Sequence, residues 1–304
     1  MPNPFLHRRA VILMICAATL WSIAGVFTRH LDAARGFEVT FWRSVFAALF
    51  VAAALLLQER GAALAKVRAM GRLGIVSSVM WSIMFSCFMI ALTMTTVANT
   101  LIVMSVSPLV TALLAWLFLR QQVAPRTWLA IALAVTGMTG MFASGMSHMD
   151  GAQLTGMLVA LGVPLAASVN VITLKKAERD IDLIPAVFLG AVFSALLMLP
   201  LTWPLRASLH DIGILAILGF FQLGFPCMLM VSASKSLSAP EIALLALLEV
   251  LLGPIWAWLG AGEVPARETL VGGAVVLAAL VANEFAAMRD ARTDNVRVAE
   301  HLPT

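Results

Sequence analysis

The residues of this sequence that could do chemistry are single polar side chains inside long apolar runs. Glu249 is the most deeply placed, eight residues into the run 241–261, which is about 12 Å along a helix that rises 1.5 Å per residue. If this run crosses a membrane, an ionisable group at that depth is costly and is by default a functional hypothesis. Such a carboxyl is mostly neutral until water or a cation approaches. Glu249 could therefore carry a proton, bind an ammonium group or simply hydrogen-bond a neighbouring helix.

Two amide side chains share this apolar setting. Asn170 could meet a ligand, or it could hold two helices together by a hydrogen bond, which in membranes is typically worth under about 1 kcal/mol. Gln222 lies beside Gly224 and Pro226, a Gly/Pro interruption of the kind that marks broken helices near transport sites. Pro-kinked packing without ligand contact explains Gln222 equally well.

Arg43 and the tryptophans complete the candidate set. Arg43 is five residues into an apolar run, so it could snorkel to the membrane surface or act as an electrostatic gate for a carboxylate. Trp21 and Trp258 are candidates for the wall of an apolar cavity, although most membrane tryptophans pack or anchor. Four further tryptophans could line the same cavity: Trp42, Trp81, Trp116 and Trp256.

Motifs for catalysis are absent from the sequence. There is no H-E-x-x-H, no G-x-S-x-G and no Walker A pattern, and no Asp occurs inside any of the long apolar runs. The three cysteines (Cys16, Cys87 and Cys227) have no metal-ligand spacing. We therefore expect no enzyme activity, no metal site and no cofactor. An intramembrane enzyme, or a lipid-handling or sensory membrane protein without transport activity, stays open as the alternative function.

The composition assigns these residues to a membrane protein. Apolar residues make up 61% of the 304 residues and charged residues 12%, with a mean hydropathy of +0.96. Soluble domains carry about 25% charged residues, so a soluble enzyme and a nucleic-acid-binding protein are excluded. Ten runs are long enough for transmembrane helices: 11–28, 39–57, 73–92, 97–119, 127–145, 153–174, 184–203, 212–231, 241–261 and 269–288. The predicted fold is an all-α integral membrane protein with the lipid bilayer as its surroundings.

The distribution of Lys and Arg predicts the orientation. With the N-terminus inside, fifteen of these residues lie in inner segments and four in outer loops, which is the asymmetry of the positive-inside rule. Both termini, residues 1–10 and 289–304, are therefore expected in the cytoplasm. The scarcity of Lys against Arg and the abundance of Ala are typical of a high-GC bacterium, so we predict a multi-pass protein of the bacterial inner membrane.

The chain also resembles itself. When residues 91–132 are written above residues 233–274, at an offset of 142, Ala115-Trp116-Leu117 matches Ala257-Trp258-Leu259. Two five-helix repeats, 11–145 and 153–288, follow from this match. Because five is odd, the second repeat must enter the membrane upside down, an inverted-topology arrangement that secondary transporters use for alternating access.

Several short motifs resemble the drug/metabolite transporter superfamily, specifically the ten-helix EamA-type exporters. They are Ala18-Thr19-Leu20-Trp21-Ser22, Ser107-Pro108 before Ala115-Trp116-Leu117-Phe118, Leu248-Glu249-Val250 and Gly262-Glu263. The chain departs from the family pattern where Val250 follows Glu249 in place of proline, and where Arg120-Gln121 replaces Gly-Glu. The resemblance implies efflux of amino acids or related small metabolites. A small-molecule substrate is the expected partner, no nucleic acid is expected, and monomer and homodimer both stay open.

Overall fold

A computed structural model describes residues 4–286, apart from 29, 35, 60–62, 96, 143–150, 178–180, 262–266, 268–269, 280 and 284. Every regular element in these residues is helical, and the described part of the chain contains no β-strand. The all-α prediction is confirmed. Glu263 of the Gly-Glu motif and the predicted C-terminal tail, 289–304, lie outside the described residues, whereas residues 4–10 of the predicted N-terminal tail form the start of α1.

The first half of the chain forms eight helical segments. They are α1 (Pro4–Trp21), α2 (Ala24–Thr28), α3 (Phe37–Glu59), α4 (Ala63–Ala69), α5 (Gly71–Met94), α6 (Val97–Met104), α7 (Ser107–Leu119) and α8 (Pro125–Phe142).

The second half follows the same order of long and interrupted helices. Its α-helices are α9 (Gly151–Ala160), α10 (Gly162–Lys176), α11 (Ile184–Met198), α12 (Leu209–Ile217), α13 (Phe225–Ser234), α14 (Ala239–Ala246), α15 (Leu248–Ala261) and α16 (Leu270–Asn283). A π-helix, Leu218–Gly224, joins α12 to α13 without a gap.

Seven helices in the described residues are long and apolar enough to cross a membrane: Phe5–Thr28, Phe37–Gln58, Gly71–Ala91, Gln153–Lys176, Ile184–Leu201, Leu209–Ser234 and Ala239–Gly260. α7 and α16 are apolar but shorter, and α8 begins with the polar sequence Pro125-Arg126-Thr127. The chain is a multi-pass membrane protein by these spans, whereas the count of ten is not confirmed and stays a prediction.

The main helix contacts join the two halves of the chain. α3 packs on α11 and α7 on α14, while α5 packs on α10 and α1 on α13. Exchanging the two halves leaves the α3–α11 pair in place and converts the α5–α10 pair into the α1–α13 pair. The packing therefore has the pairwise relation that a duplicated fold requires.

Small residues allow these helices to approach closely. A Cβ at Gly190 of α11 would meet the Cβ of Trp81 at 2.5 Å and the carbonyl oxygen of Ser78 at 2.9 Å, both on α5. Gly137 of α8 lies equally close to α16, where a Cβ would be 2.9 Å from the carbonyl oxygen of Gly272. In a membrane, such contacts replace the hydrophobic effect as a source of helix association.

Two buried carboxylates connect the loops of the two halves. Glu38 accepts hydrogen bonds from the backbone N–H groups of Arg206 and Ala207, at 2.9–3.1 Å. Asp211 accepts four, at 2.7–3.2 Å, from Asp32, Ala33, Ala34 and Ser208. We call Glu38 and Asp211 the carboxylate clamp. It fixes the loop after α2 and the loop before α12 against each other.

Candidate functional site

A cavity of about 130 Å³ lies between the two halves of the chain. Both halves contribute its walls: α1, α3, α5, α6 and α7 from the first, and α10, the π-helix, α13, α14 and α15 from the second. Most lining side chains are apolar, and the aromatic and methionine members are Trp21, Trp81, Met84, Phe85, Phe88, Met104 and Met230. A largely apolar pocket with a few polar groups is the usual form of a small-molecule site.

Interrupted helices surround this cavity. α6 ends at Met104 and α7 begins at Ser107, and both of these residues line the wall. The second interruption lies at Leu247, between α14 and α15, and Leu247 also lines the wall. Because Leu247 follows Ser105 by 142 residues, the two interruptions lie at equivalent positions of the sequence repeat. Discontinuous helices at matching positions of two repeats are the usual location of a transporter binding site.

Arg43 points to this cavity and is almost fully buried. Its exposed fraction is 2%, and it lines the cavity wall from the first turns of α3. The Nε and Nη1 atoms have no hydrogen-bond partner among the residues that the structure describes. The snorkelling expectation for Arg43 is therefore wrong, because the packing of α3 against α11 and the π-helix encloses the side chain.

Glu249 lines the same cavity from the first turn of α15. A carboxylate is favoured there, because the unpaired N–H groups of a helix N-terminus carry partial positive charge. Glu249 and Arg43 interact electrostatically, although the Nε and Nη1 atoms of Arg43 donate no hydrogen bond to the Glu249 carboxylate. The cavity thus has a cationic group on one wall and an acidic group on another.

Gln222 and Trp21 meet at a third wall. Gln222 lies within the π-helix, and its Nε2 donates to the carbonyl oxygen of Trp21 at 3.2 Å. Its Oε1 is buried without a partner in the described part of the chain. The predicted Gly/Pro interruption is present as this π-helix, and π-turns inside helices frequently occur at functional sites.

Asn170 and Trp258 are not among the lining residues of the cavity. Asn170 is fully buried between α10 and α5, where its Oδ1 accepts a hydrogen bond of 2.6 Å from the Ser77 hydroxyl. Trp258 is 48% exposed and Trp116 is 62% exposed, both on the outside of the bundle. The structure therefore brings together four of the six candidates: Trp21, Arg43, Gln222 and Glu249.

Trp81 is a polar contributor to the cavity that sequence reasoning did not single out from the other tryptophans. It is 1% exposed, and its indole Nε1 has no hydrogen-bond partner within the described residues. Nothing in the local sequence distinguishes Trp81 from an ordinary packing residue. Its position follows from Gly190, which lets α11 press against α5 at this point.

Comparison with known proteins identifies the chain. The model of the EamA-like transporter family matches it twice, over residues 8–143 and 154–283. The chain belongs to the EamA-like transporter family.

Relatives of known name agree with this membership. The chain is 24% identical over 283 residues to the pseudopaline exporter CntI of Pseudomonas aeruginosa, covering 91% of this chain and 96% of that protein. It is 25% identical over 291 residues to human solute carrier family 35 member G1, covering 90% and 78%. One crystal structure superimposes with a TM-score of 0.76 at 17% identity, covering 92% and 98%, which shows a shared fold.

Membership in the EamA-like family explains the duplicated packing. Each match of the family model covers one half of the chain, so the fold consists of two repeats of the same unit. The cavity between them lies within a member of a transporter family.

Proposed function

We propose that this EamA-like transporter exports amino acids or related small metabolites from the cytoplasm by alternating access through the cavity. The observation that carries the proposal is a cavity with buried polar groups among apolar helices, lined by both repeats where their helices are interrupted. Alternating access needs two repeats that move against each other around a fixed site. The exporter name of the Pseudomonas aeruginosa relative supports the outward direction.

The accompanying topology has ten spans in two inverted five-helix repeats. Three spans would be added to the seven long apolar helices: one formed by α6 and α7 together, one by α8 and one by α16. The exchange relation among the helix pairs supports the repeat, and the asymmetry of Lys and Arg supports termini in the cytoplasm of a bacterial cell.

Reporter fusions test this topology. Fusions after Arg68 and Arg292 should report a cytoplasmic location, and a fusion after Met149 a periplasmic one. A periplasmic C-terminus would contradict both the ten spans and the inverted repeat.

Flux through proteoliposomes tests the transport function. Metabolites that accumulate outside cells overexpressing the protein, compared with an empty-vector strain, supply the solutes to load. We expect saturable efflux of at least one amino acid or related metabolite from liposomes that contain the protein. Absence of solute flux with every such metabolite, in correctly folded protein, would favour the intramembrane enzyme or the lipid-handling or sensory alternative.

Cysteine labelling tests the pathway through the cavity. In a background without Cys16, Cys87 and Cys227, a cysteine at Glu249 should react with a water-soluble thiol reagent, and substrate should slow the reaction. A cysteine at Asn170 is the matched control and should stay inert, because that position is buried between two helices. Equal protection at both positions would place the pathway elsewhere.

A further inference from the structure

Three buried polar groups face the cavity without partners. They are the Nε and Nη1 atoms of Arg43, the indole N–H of Trp81 and the amide oxygen of Gln222, which belong to residues that are each at most 4% exposed. Within the described residues, none of these atoms forms a hydrogen bond. Native proteins pair more than about 90% of their buried polar groups, since an unpaired one costs about 1–3 kcal/mol and a charged one more. Three such groups on one cavity indicate that a ligand supplies the partners.

The two charged groups of the cavity define what such a ligand must carry. The unpaired N–H groups of Arg43 are suited to a carboxylate, which accepts charge-assisted hydrogen bonds. Glu249, on a different helix, is suited to a cationic donor, and the free Oε1 of Gln222 is a second acceptor. A ligand with only one charge would leave either Arg43 or Glu249 without a ligand partner, and an unpaired charge in such surroundings costs free energy.

The remaining cavity walls indicate the chemical character of the uncharged part of the ligand. Met84, Phe85, Phe88, Met104 and Met230 present apolar surface to the cavity. Methionine side chains are flexible and fit ligands of different shape. An apolar body of variable outline therefore fits between the two charged walls.

We propose that the cavity binds a zwitterion with an apolar side chain in one fixed orientation. The carboxylate contacts Arg43 and the Trp81 N–H, the ammonium group contacts Glu249 and the Gln222 oxygen, and the side chain lies against the aromatic and methionine wall. This assignment rests on the proposed function, because it names the substrate class of the same cavity. It gives Arg43 and Glu249 opposite and separable roles in selectivity.

Matched sets of three compounds test the assignment by binding to the purified full-length chain. One set is L-leucine, 3-methylbutylamine, which lacks the carboxylate, and 4-methylpentanoate, which lacks the ammonium group. The corresponding set for L-phenylalanine is phenethylamine and 3-phenylpropionate. Trp21 and Trp81 line the site, so tryptophan fluorescence and ligand-induced change in Tm report occupancy. At least one amino acid should bind the wild type at least about tenfold more tightly than both of its analogues.

Exchanging the charged residues should change the selectivity in opposite directions. In Arg43→Gln, the amine should bind as tightly as the amino acid, because the carboxylate has lost its partner. In Glu249→Gln, the carboxylate analogue should bind as tightly as the amino acid. Arg43→Lys keeps the charge and should retain part of the amino-acid preference. Arg72→Gln removes an exposed arginine outside the cavity and should leave the selectivity of the wild type unchanged.

Several outcomes would overturn the assignment. They are equal binding of zwitterion and single-charge analogues by the wild type, unchanged selectivity in both variants, and absence of binding by either amino acid. The Tm of each ligand-free variant separates misfolding from altered selectivity. If Arg43→Gln does not fold, the selectivity of Arg43→Lys is compared with that of the wild type instead. Zwitterion binding without liposome flux would refute transport but not the site, whereas flux without zwitterion preference would refute the site alone.

Discussion

The carboxylate clamp and the cavity both contain a buried charged side chain, but only the clamp supplies that side chain with a full set of hydrogen-bond partners. Asp211 of the clamp accepts four backbone hydrogen bonds. Arg43 of the cavity is equally buried, but its Nε and Nη1 donate no hydrogen bond in the described part of the chain. Burial alone therefore does not distinguish a structural charge from a functional one.

The two sites differ in which groups supply the hydrogen-bond partners of the charged side chain. Backbone N–H groups of two separate loops surround Asp211, so its charge holds those loops together and is compensated in every molecule. Arg43 lies among a cavity and mostly apolar helices. Glu249 offsets part of its charge, but its Nε and Nη1 atoms gain hydrogen-bond partners only when something enters the cavity. The clamp then contributes to stability, and the cavity contributes to binding.

The largest expected effect is on the clamp. Asp211→Ala removes the acceptor for four backbone N–H groups, and each hydrogen bond to a charged group is worth about 1.5–3 kcal/mol. We expect a loss of at least about 3 kcal/mol in the free energy of unfolding, and therefore a Tm lower by at least about 5 °C. Thermal melts of the purified protein measure this change.

The control for the clamp is its exposed neighbour. Asp32→Asn alters a side chain that is 69% exposed and paired with His210 at 3.2 Å, and exposed ion pairs contribute at most about 1 kcal/mol. Its Tm should stay close to that of the wild type. If Asp211→Ala also melts like the wild type, the clamp does not stabilise the fold and the contrast with the cavity fails.

The next effect is on binding and separates two roles of Glu249. Glu249→Gln keeps the shape of the side chain but cannot exchange a proton. Because we assign the carboxylate to the substrate ammonium group, affinity for an amino acid should fall about tenfold. Any dependence of efflux on the pH gradient should survive. Flux assays with and without a gradient measure both quantities.

The alternatives for Glu249 give different results in the same assay. If the residue carries protons, the Gln variant should lose the gradient dependence while retaining exchange. If it only packs, Glu249→Gln should match the wild type in both affinity and gradient response. Glu249→Ala should then lower the Tm instead.

The sequence predicted the helical class and the repeat because both depend on features that extend over many residues. Apolar runs of transmembrane length are typical of helices in lipid, and the offset of 142 also relates the interruptions at Ser105 and Leu247. The π-helix at Leu218–Gly224 was not predictable in form, since Gly and Pro permit an interruption without specifying its geometry. α8 shows the limit for the span count, because polar residues in its first turn lower its mean hydropathy.

The site was predictable by residue type but not by helix face. Glu249 and Trp258 are nine residues apart on α15, which at about 100° per residue places them on opposite sides of the helix. Helical-wheel arithmetic would thus have separated these two candidates. Asn170 adjoins Val171, which does line the cavity. Which of these two neighbours faces the cavity depends on how α10 packs on α5, and the sequence does not specify that packing.

A smaller effect is expected between the helices that flank the cavity. The Ser77 hydroxyl donates to the Oδ1 of Asn170 at 2.6 Å, and such bonds in membrane proteins average about 0.6 kcal/mol. A double-mutant cycle of Ser77→Ala and Asn170→Ala should give a coupling free energy below about 2 kcal/mol, with amino-acid selectivity unchanged. A change in selectivity with Asn170→Ala would show that the residue belongs to the binding site.

The smallest effect is expected at Trp258, on the face of α15 opposite to Glu249. Trp258 is 48% exposed on the outside of the bundle. Its position therefore faces lipid both before and after the substitution, and the cavity wall is unchanged. Trp258→Ala should therefore keep amino-acid affinity within about twofold of the wild type, a difference of about 0.4 kcal/mol. Trp21→Ala is the matched control, because Trp21 lines the cavity and accepts the Gln222 hydrogen bond through its carbonyl oxygen. That variant should lose affinity by removing part of the wall. Equal loss of affinity in both variants would mean that the outer face of α15 takes part in binding, and that the cavity is not the only place where this molecule meets its substrate.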